Sequence, residues 1–144
     1  MKKILGIILM LLFAVSCNNQ KMYSDYDISF SRSGGFAPTY ENLLIKNNKA
    51  YYSFEGQEKK IKRKINISDS EIKNLNDILS KNNFRQIQED HKKIYDNITT
   101  SVNIKKGTNA GSKNDGSAIM PNYEKNWGNI VTAFQKIINK KIKN

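Results

Sequence analysis

The chain has 144 residues, of which 24 are Lys or Arg and 13 are Asp or Glu, so its formal net charge is +11 at neutral pH. The basic residues are spread along the chain, few are arginine and no nucleic-acid recognition motif is present, which argues against binding to DNA or RNA. The charge instead favours an anionic surface or an acidic protein as partner. A single cysteine excludes an intramolecular disulfide.

Residues 1–16 are a predicted signal peptide. Two lysines precede an apolar run from Ile4 to Phe13, and the tripeptide Ala-Val-Ser then leads to Cys17. The apolar run is too short to cross a bilayer, which takes roughly 20 residues in a helix. A basic start, a short apolar segment and small residues before a cleavage site are typical of export signals.

The stretch AVSC, which ends at Cys17, resembles a bacterial lipobox. The resemblance implies that the chain is cut before Cys17, which then carries a lipid such as palmitate. We therefore expect a lipidated cysteine and polar tether at residues 17–25 and a single domain at residues 26–144. The protein would be anchored in a membrane of the cell envelope, facing the periplasm or the exterior. A secreted protein with a free thiol is the alternative.

Alternating apolar and polar residues predict antiparallel strands in the first half of the domain. Residues 26–30 alternate in this way before the glycines at 34 and 35 interrupt the pattern. Residues 43–54 read as two strands joined by a turn at Asn47-Asn48, because asparagine tolerates the positive φ of tight hairpin turns. A second turn at 55–58 precedes another alternating run at 61–67. These strands predict a meander.

The pattern changes to a helical period at Ser68. Ser68 and Glu71 have the spacing of a capping box, and apolar residues at 72, 75, 78 and 79 fall on one helical face. The helix should end at Asn82-Asn83. Residues 98–104 are β-branched and alternating, which predicts a strand, whereas residues 105–116 are polar and glycine-containing, which predicts a long surface loop.

The last element is a predicted amphipathic helix over residues 122–142. Its apolar stripe should cover one face of the sheet, although a basic amphipathic helix can also lie on a membrane surface. Strands and helices that do not alternate predict an α+β fold, with an antiparallel meander packed by two helices in one domain. We expect a monomer.

No constellation of residues predicts catalysis. His91 is the only histidine, and it lies in a charged run beside Glu89 and Asp90 with no nucleophile or zinc-binding motif nearby. We therefore expect no catalytic residues, no bound metal, no cofactor and no enzymatic activity.

The stretch SRSGGF, Ser31 to Phe36, has two interpretations. Two glycines allow a sharp turn and a close approach of the backbone to another surface, and Arg32 and Phe36 are residue types that dominate interface energetics. Residues Arg32, Ser33, Gly34, Gly35 and Phe36 would then be a binding loop. The alternative, which the residues alone favour, is a structural turn with Phe36 packed in the core.

The chain resembles the emfourin-type family of small bacterial proteins. The resemblance lies in this motif, in the order of the elements, and in the S-D-S-E and N-N-F segments around the first helix. The resemblance implies a protein inhibitor that occludes the active site of a thermolysin-like metallopeptidase, with no zinc of its own. Pro38 departs from the glycine expected after Phe36-Ala37. Membrane-bound lysozyme inhibitors also carry an S-G loop. Lysozymes are commonly basic, however, and would be repelled by this basic chain, and the chain lacks a disulfide pair, so both points oppose that resemblance.

A second functional hypothesis is an anchored module that binds envelope polymer or another membrane protein and inhibits nothing. Its sequence features overlap with those of an inhibitor. The two hypotheses differ in whether the SGGF segment has to enter the cleft of a peptidase.

Overall fold

The computed structural model describes residues 24–92 and 97–142, which form a six-stranded antiparallel sheet and two helices. The elements are β1 (Ile28–Gly34), β2 (Thr39–Lys46), β3 (Lys49–Gly56), β4 (Lys59–Asn66), α1 (Asp69–Lys81), a 3-10 turn (Phe84–Gln86), β5 (Ile98–Ile104), β6 (Gly111–Asn114) and α2 (Glu124–Ile142). The strand order is β4-β3-β2-β1-β5-β6. The predicted α+β class and the meander of the first four strands are confirmed.

One face of the sheet carries the core. Alternate residues of neighbouring strands are fully buried there, including Phe30, Leu43 and Val102. The Phe134 ring of α2 stacks on the Phe30 ring with 4.9 Å between the centroids. The predicted packing of the last helix on the sheet is therefore confirmed. The core residues form one cluster between Ile28 and Ile142, so a chain that begins after Cys17 keeps all of them.

The middle of the opposite face of the sheet is polar. In register across the strands, Ser31 of β1 lies between Asn42 of β2 and Ser101 of β5, and Asn42 lies beside Ser53 of β3. The edge strand β4 carries four lysines and one arginine among its eight residues. Charged residues on an edge oppose pairing with another chain.

Local signals account for the bounds of α1. The Ser68 hydroxyl accepts from the Glu71 backbone N–H, and the Glu71 carboxylate accepts from the Ser68 N–H in return. The last helical residue is Lys81, Asn82 is the C-cap, and Asn83 takes a left-handed conformation with φ of 48°. The predicted capping box and the predicted end of the helix are both confirmed.

Glu71 also joins the two helices. Its carboxylate lies 2.8 Å from the Lys140 ammonium and 3.0 Å from the Lys141 ammonium, both in the last turn of α2. The Lys140 contact and the Ser68 backbone N–H lower the pKa of Glu71 to about 2. The carboxylate therefore stays ionised down to strongly acidic pH.

The segment from residue 105 to 116 is not the long surface loop that its composition predicts. Residues 111–114 form β6, which pairs with β5, and Asn109 is buried with its amide donating to the Asn76 carbonyl. The Lys113 ammonium donates to the Ile87 carbonyl at 2.6 Å. Polar side chains that satisfy backbone carbonyls hold this segment in place, so its lack of apolar periodicity was misleading.

The sheet has two ends with different composition. The tether end comprises residues 24–27, the Asn47-Asn48 turn and residues 105–106. The hairpin end comprises the β1–β2 loop at residues 35–38, the turn at 57–58 and the start of β5. The seven residues of β1 run from the first end to the second, a distance of roughly 20 Å.

Candidate functional site

The β1–β2 hairpin is the candidate site. The two strands pair in register from Ile28 opposite Ile45 to Gly34 opposite Thr39, so a four-residue loop, Gly35 to Pro38, connects them. Strand β1 continues through Ser33 into Gly34, which corrects the expectation that the glycines end the strand early. The hairpin is therefore paired up to its loop.

Both glycines of the motif are needed by the backbone. Gly34 has φ of 108° and Gly35 has φ of 86°, conformations that residues with a Cβ rarely adopt. A Cβ at Gly34 would lie 2.7 Å from the Asn97 carbonyl oxygen, and one at Gly35 would lie 3.2 Å from the Ile98 side chain. The strand β5 thus approaches the hairpin closely because no side chain intervenes.

Phe36 projects from the loop into solvent, and the residue is 98% exposed. The interpretation that packs Phe36 into the core is therefore wrong. The other large apolar residues exposed in the described part of the chain are Tyr40 and Ile98, at 55% and 37%. Tyr40 follows the loop in β2, and Ile98 lies opposite Gly34. Register places Tyr40 on the open face with Ser33 and Ile98 on the covered face with Gly34, so the three residues lie on different sides of the same end of the sheet. We call this end, with its exposed Phe36, Tyr40 and Ile98, the hairpin tip surface.

An exposed apolar surface that is held by backbone pairing can bind a protein partner at little conformational cost. Sequence reasoning missed Tyr40 and Ile98 as members of this surface. Ile98 becomes a neighbour of the loop only through the pairing of β5 with β1, for which no local sequence signal exists. Tyr40 could have been found, because it follows the turn directly.

Arg32 does not lie with Phe36. Its guanidinium sits on the helix-covered face of the sheet, 3.8 Å from the Glu41 carboxylate. Glu41 also accepts from the Tyr52 hydroxyl at 2.9 Å and from the Gln135 amide of α2 at 3.0 Å. Burial and the Glu41 contact raise the pKa of Tyr52, so its hydroxyl stays protonated. This polar cluster connects the base of the hairpin to α2.

Ser33 lies on the open face, in register with Tyr40 on one side and Thr99 on the other. Of the five residues predicted as a binding loop, the structure brings Gly34, Gly35 and Phe36 to the tip. Ser33 borders them, and Arg32 supports the strand from the covered face.

The residues considered for chemistry have structural partners. Glu89 accepts from the Asn114 backbone and side-chain amides, both at 3.1 Å, and Asp90 pairs with Lys92 at 2.8 Å. His91 is exposed, with φ of 56°. Within residues 24–92 and 97–142, no three His, Cys, Asp or Glu side chains are grouped to hold a metal ion.

Asp115 is a further residue that sequence reasoning missed. Its carboxylate accepts from the Thr100 backbone N–H at 2.5 Å and from the Trp127 indole N–H at 2.9 Å. These contacts fasten β5 to the start of α2 beneath the hairpin end. An aspartate in a glycine-containing segment gave no sign of this connection.

The predicted lipidation site, Cys17, lies outside the described residues. In the part of the chain that the structure describes, no helix is both long enough and apolar enough to span a membrane. No model of a known protein family matches the chain, and no curated protein matches it.

Proposed function

We propose that this protein is a membrane-anchored, non-enzymatic lipoprotein whose hairpin tip surface binds a protein partner. The partner class is a thermolysin-like metallopeptidase, which the protein inhibits by occluding the active site. The observation that carries the proposal is Phe36, a large apolar residue that is 98% exposed at the end of a fully paired hairpin.

The geometry of the hairpin suits occlusion of a cleft. The loop is narrow, because Gly34 and Gly35 carry no side chains and the strands pair up to Gly34. The polar cluster around Glu41 holds the base of the hairpin against α2, so little order has to be gained on binding. In this proposal Phe36 fills an apolar pocket of the target, and the target supplies the catalytic zinc.

Inhibition is tested with the unlipidated chain that begins at Asn18. We expect saturable inhibition of at least one thermolysin-like metallopeptidase in a peptide-hydrolysis assay. The Phe36→Ala variant should raise the inhibition constant by about thirty-fold or more, the range of an aromatic residue that dominates an interface. Because Phe36 is exposed, this variant should remain folded.

The matched control is Phe36→Tyr, which keeps the ring and should retain most of the inhibition. Glycine replacements at 34 or 35 are unsuitable as loop tests, because a Cβ at Gly34 would meet the Asn97 carbonyl oxygen. Absence of inhibition across several such peptidases, or equal inhibition by Phe36→Ala, would refute the inhibitory role.

The anchor is tested separately with the full chain produced in a bacterial host. We expect radiolabelled palmitate to enter the protein and the protein to sediment with membranes. Cys17→Ala should abolish both, because the thiol is the only attachment atom for the lipid. Membrane association of the Cys17→Ala chain without label would point to a different mode of attachment.

A second candidate function is favoured by the open face of the sheet. A row of small hydroxyl and amide side chains, Ser53, Asn42, Ser31 and Ser101, crosses four strands and is bordered by Tyr40 and Tyr51. Such a face suits an extended, hydroxyl-rich envelope polymer. Co-sedimentation with insoluble envelope polymer that is lost in Asn42→Ala but kept in Phe36→Ala would favour this module over the inhibitor.

A further inference from the structure

A cleft with a volume of about 590 Å³ lies on the open face of the sheet at the tether end. Its lining combines apolar and basic side chains with one acidic residue, Asp25. They include Tyr26, Leu44, Tyr51, Lys46, Lys49 and Lys64. Leu44 lies in register with Tyr51, and Tyr51 lies in register with Lys64, so the cleft follows one row across β2, β3 and β4.

Two of the three lysines at the cleft are available for an anionic ligand. Lys46 pairs with Asp25 at 2.7 Å and with Asp27 at 3.5 Å. Lys49 and Lys64 are exposed, and neither forms an ion pair with a described residue. A pair of unneutralised ammonium groups beside an apolar floor matches a ligand with a phosphate and an adjoining apolar part.

The start of the domain is fixed beside this cleft. The Lys105 ammonium donates to the Ser24 carbonyl at 2.6 Å and lies 3.7 Å from the centroid of the Tyr26 ring. Lys106 pairs with Asp27 at 3.1 Å. The point at which the chain leaves toward Cys17 is therefore held at the tether end.

The chain between Cys17 and Ser24 is short. Seven residues span at most about 25 Å when fully extended. A lipid on Cys17 would therefore keep the tether end within that distance of the bilayer surface. Anionic lipids attract basic groups only within about a Debye length, so the tether end is the part of the domain best placed to feel them.

We propose that this cleft binds the head groups of anionic phospholipids in the membrane that anchors the protein. The inference rests on the proposed lipidation of Cys17 and adds a second attachment, through Lys49 and Lys64. A basic contact with anionic head groups adds to the attachment that acyl chains provide. It also orients the domain, with the hairpin tip surface facing away from the bilayer.

The second helix is the competing membrane surface, and the fold argues against it. The apolar residues of α2, among them Trp127, Phe134 and Ile138, are buried against the sheet and α1. Only its polar side is open to a membrane. Lys125 and Lys136 are exposed on that side and provide a matched control for the lysines of the cleft.

The experiment uses the unlipidated chain from Asn18, which keeps the whole core, and measures its partition onto vesicles. The vesicles are phosphatidylcholine alone or phosphatidylcholine mixed with phosphatidylglycerol. We expect binding to the mixed vesicles only, weakened by salt. Lys49→Gln with Lys64→Gln should lower the partition coefficient about thirty-fold, and Lys125→Gln with Lys136→Gln should lower it less than about three-fold.

Each other result overturns the proposal. Equal losses in the two double variants would mean attraction by net charge alone, and undiminished binding to neutral vesicles would mean apolar insertion. Binding to a soluble anionic polymer through Lys49 and Lys64, with none to vesicles, would assign the cleft to a polymer. Because these proteins lack the lipid, the vesicle experiment is independent of palmitate labelling at Cys17. Absence of vesicle binding would not contradict lipidation, and absence of labelling would not contradict vesicle binding.

Discussion

The two ends of the sheet differ in what they expose and in what maintains them. The hairpin end exposes three large apolar side chains, of which Phe36 lies on a loop whose shape depends on two glycines and on the close approach of Asn97. The tether end presents lysines, and ion pairs and a cation–π contact hold the start of the domain there. Steric fit therefore determines the structure of the hairpin end, and charge determines that of the tether end. The effect of a substitution at the hairpin end on binding should not depend on salt, whereas the effect of a substitution at the tether end should depend strongly on salt.

The largest expected effect is at the core that both ends share. Phe30→Ala removes a fully buried ring that stacks on Phe134, and we expect the free energy of unfolding to fall by about 3–5 kcal/mol. Urea unfolding followed by circular dichroism measures this. A loss below about 1 kcal/mol would mean that the sheet and α2 are not packed as described.

The next largest effect on stability is expected from replacing a glycine, and one glycine at each end of the sheet allows a comparison. Gly34→Ala adds a Cβ that meets the Asn97 carbonyl oxygen at a positive φ, so we expect a loss of about 2–4 kcal/mol. Gly107→Ala, near the tether end, has a similar φ of 86° but no atom within 4 Å of the added Cβ, so about 1 kcal/mol should be lost. Urea unfolding of both variants gives the loss in the free energy of unfolding for each, and the difference between the two losses is the cost of the steric contact at Gly34. Equal losses would contradict the close approach of β5 to the hairpin.

A smaller effect concerns the ion pairs of Glu71 with the end of α2. The pKa of Glu71 is lowered to about 2 in the folded protein, below its ordinary value of 4.5. Its stabilisation is therefore complete above pH 4.5 and is lost as the pH falls toward 2. We expect roughly 1 kcal/mol to be lost over this range, because solvent screens the partly hydrated pairs.

The control for Glu71 is the variant Glu71→Gln. Thermal unfolding between pH 6 and pH 2 should show a shallower loss in the variant than in the parent chain. Asp27 also contributes to the acid sensitivity of both chains. Burial raises the pKa of Asp27, but hydrogen bonds from Lys106 and from the Asn47 backbone N–H outweigh burial and lower the pKa overall. The difference between the two chains removes that shared contribution. Identical pH profiles would show that the contact between the helices contributes nothing.

The smallest expected effect on stability is at the tip. Phe36→Ala should change the free energy of unfolding by less than about 0.5 kcal/mol, because the ring contacts solvent rather than the core. The same variant carries the largest predicted loss of partner binding. A stability loss near that of Phe30→Ala would place Phe36 in the core and remove the basis of the proposed interface.

The sequence predicted most of the fold because its signals are local. The capping box at Ser68, the alternation of residues 98–104 and the apolar stripe of α2 each lie within one element, and each is confirmed. The strand at residues 111–114 was not predicted, because its pairing with β5 and the hydrogen bonds of Lys113 and Asn114 depend on distant parts of the chain.

The candidate site was predicted in part. The SGGF motif identified the hairpin loop, because glycine at positive φ is a property of the residue itself. The motif left open whether Phe36 is exposed or packed in the core. The prediction also placed Arg32 in the binding loop. In the structure Arg32 faces α2 and Glu41, because alternate residues of a strand point to opposite faces.

The sequence by itself determined the class of the fold, the approximate positions of both helices and of five of the six strands, and the glycine-dependent turn at Gly34 and Gly35. Periodicity and capping are encoded within a few residues of one another, so they need no tertiary information. The tertiary structure alone decided that Phe36, Tyr40 and Ile98 are exposed at the same end of the sheet and that Lys49 and Lys64 border a cleft beside the start of the domain. Both arrangements depend on strand register, which brings together residues that are remote in the chain.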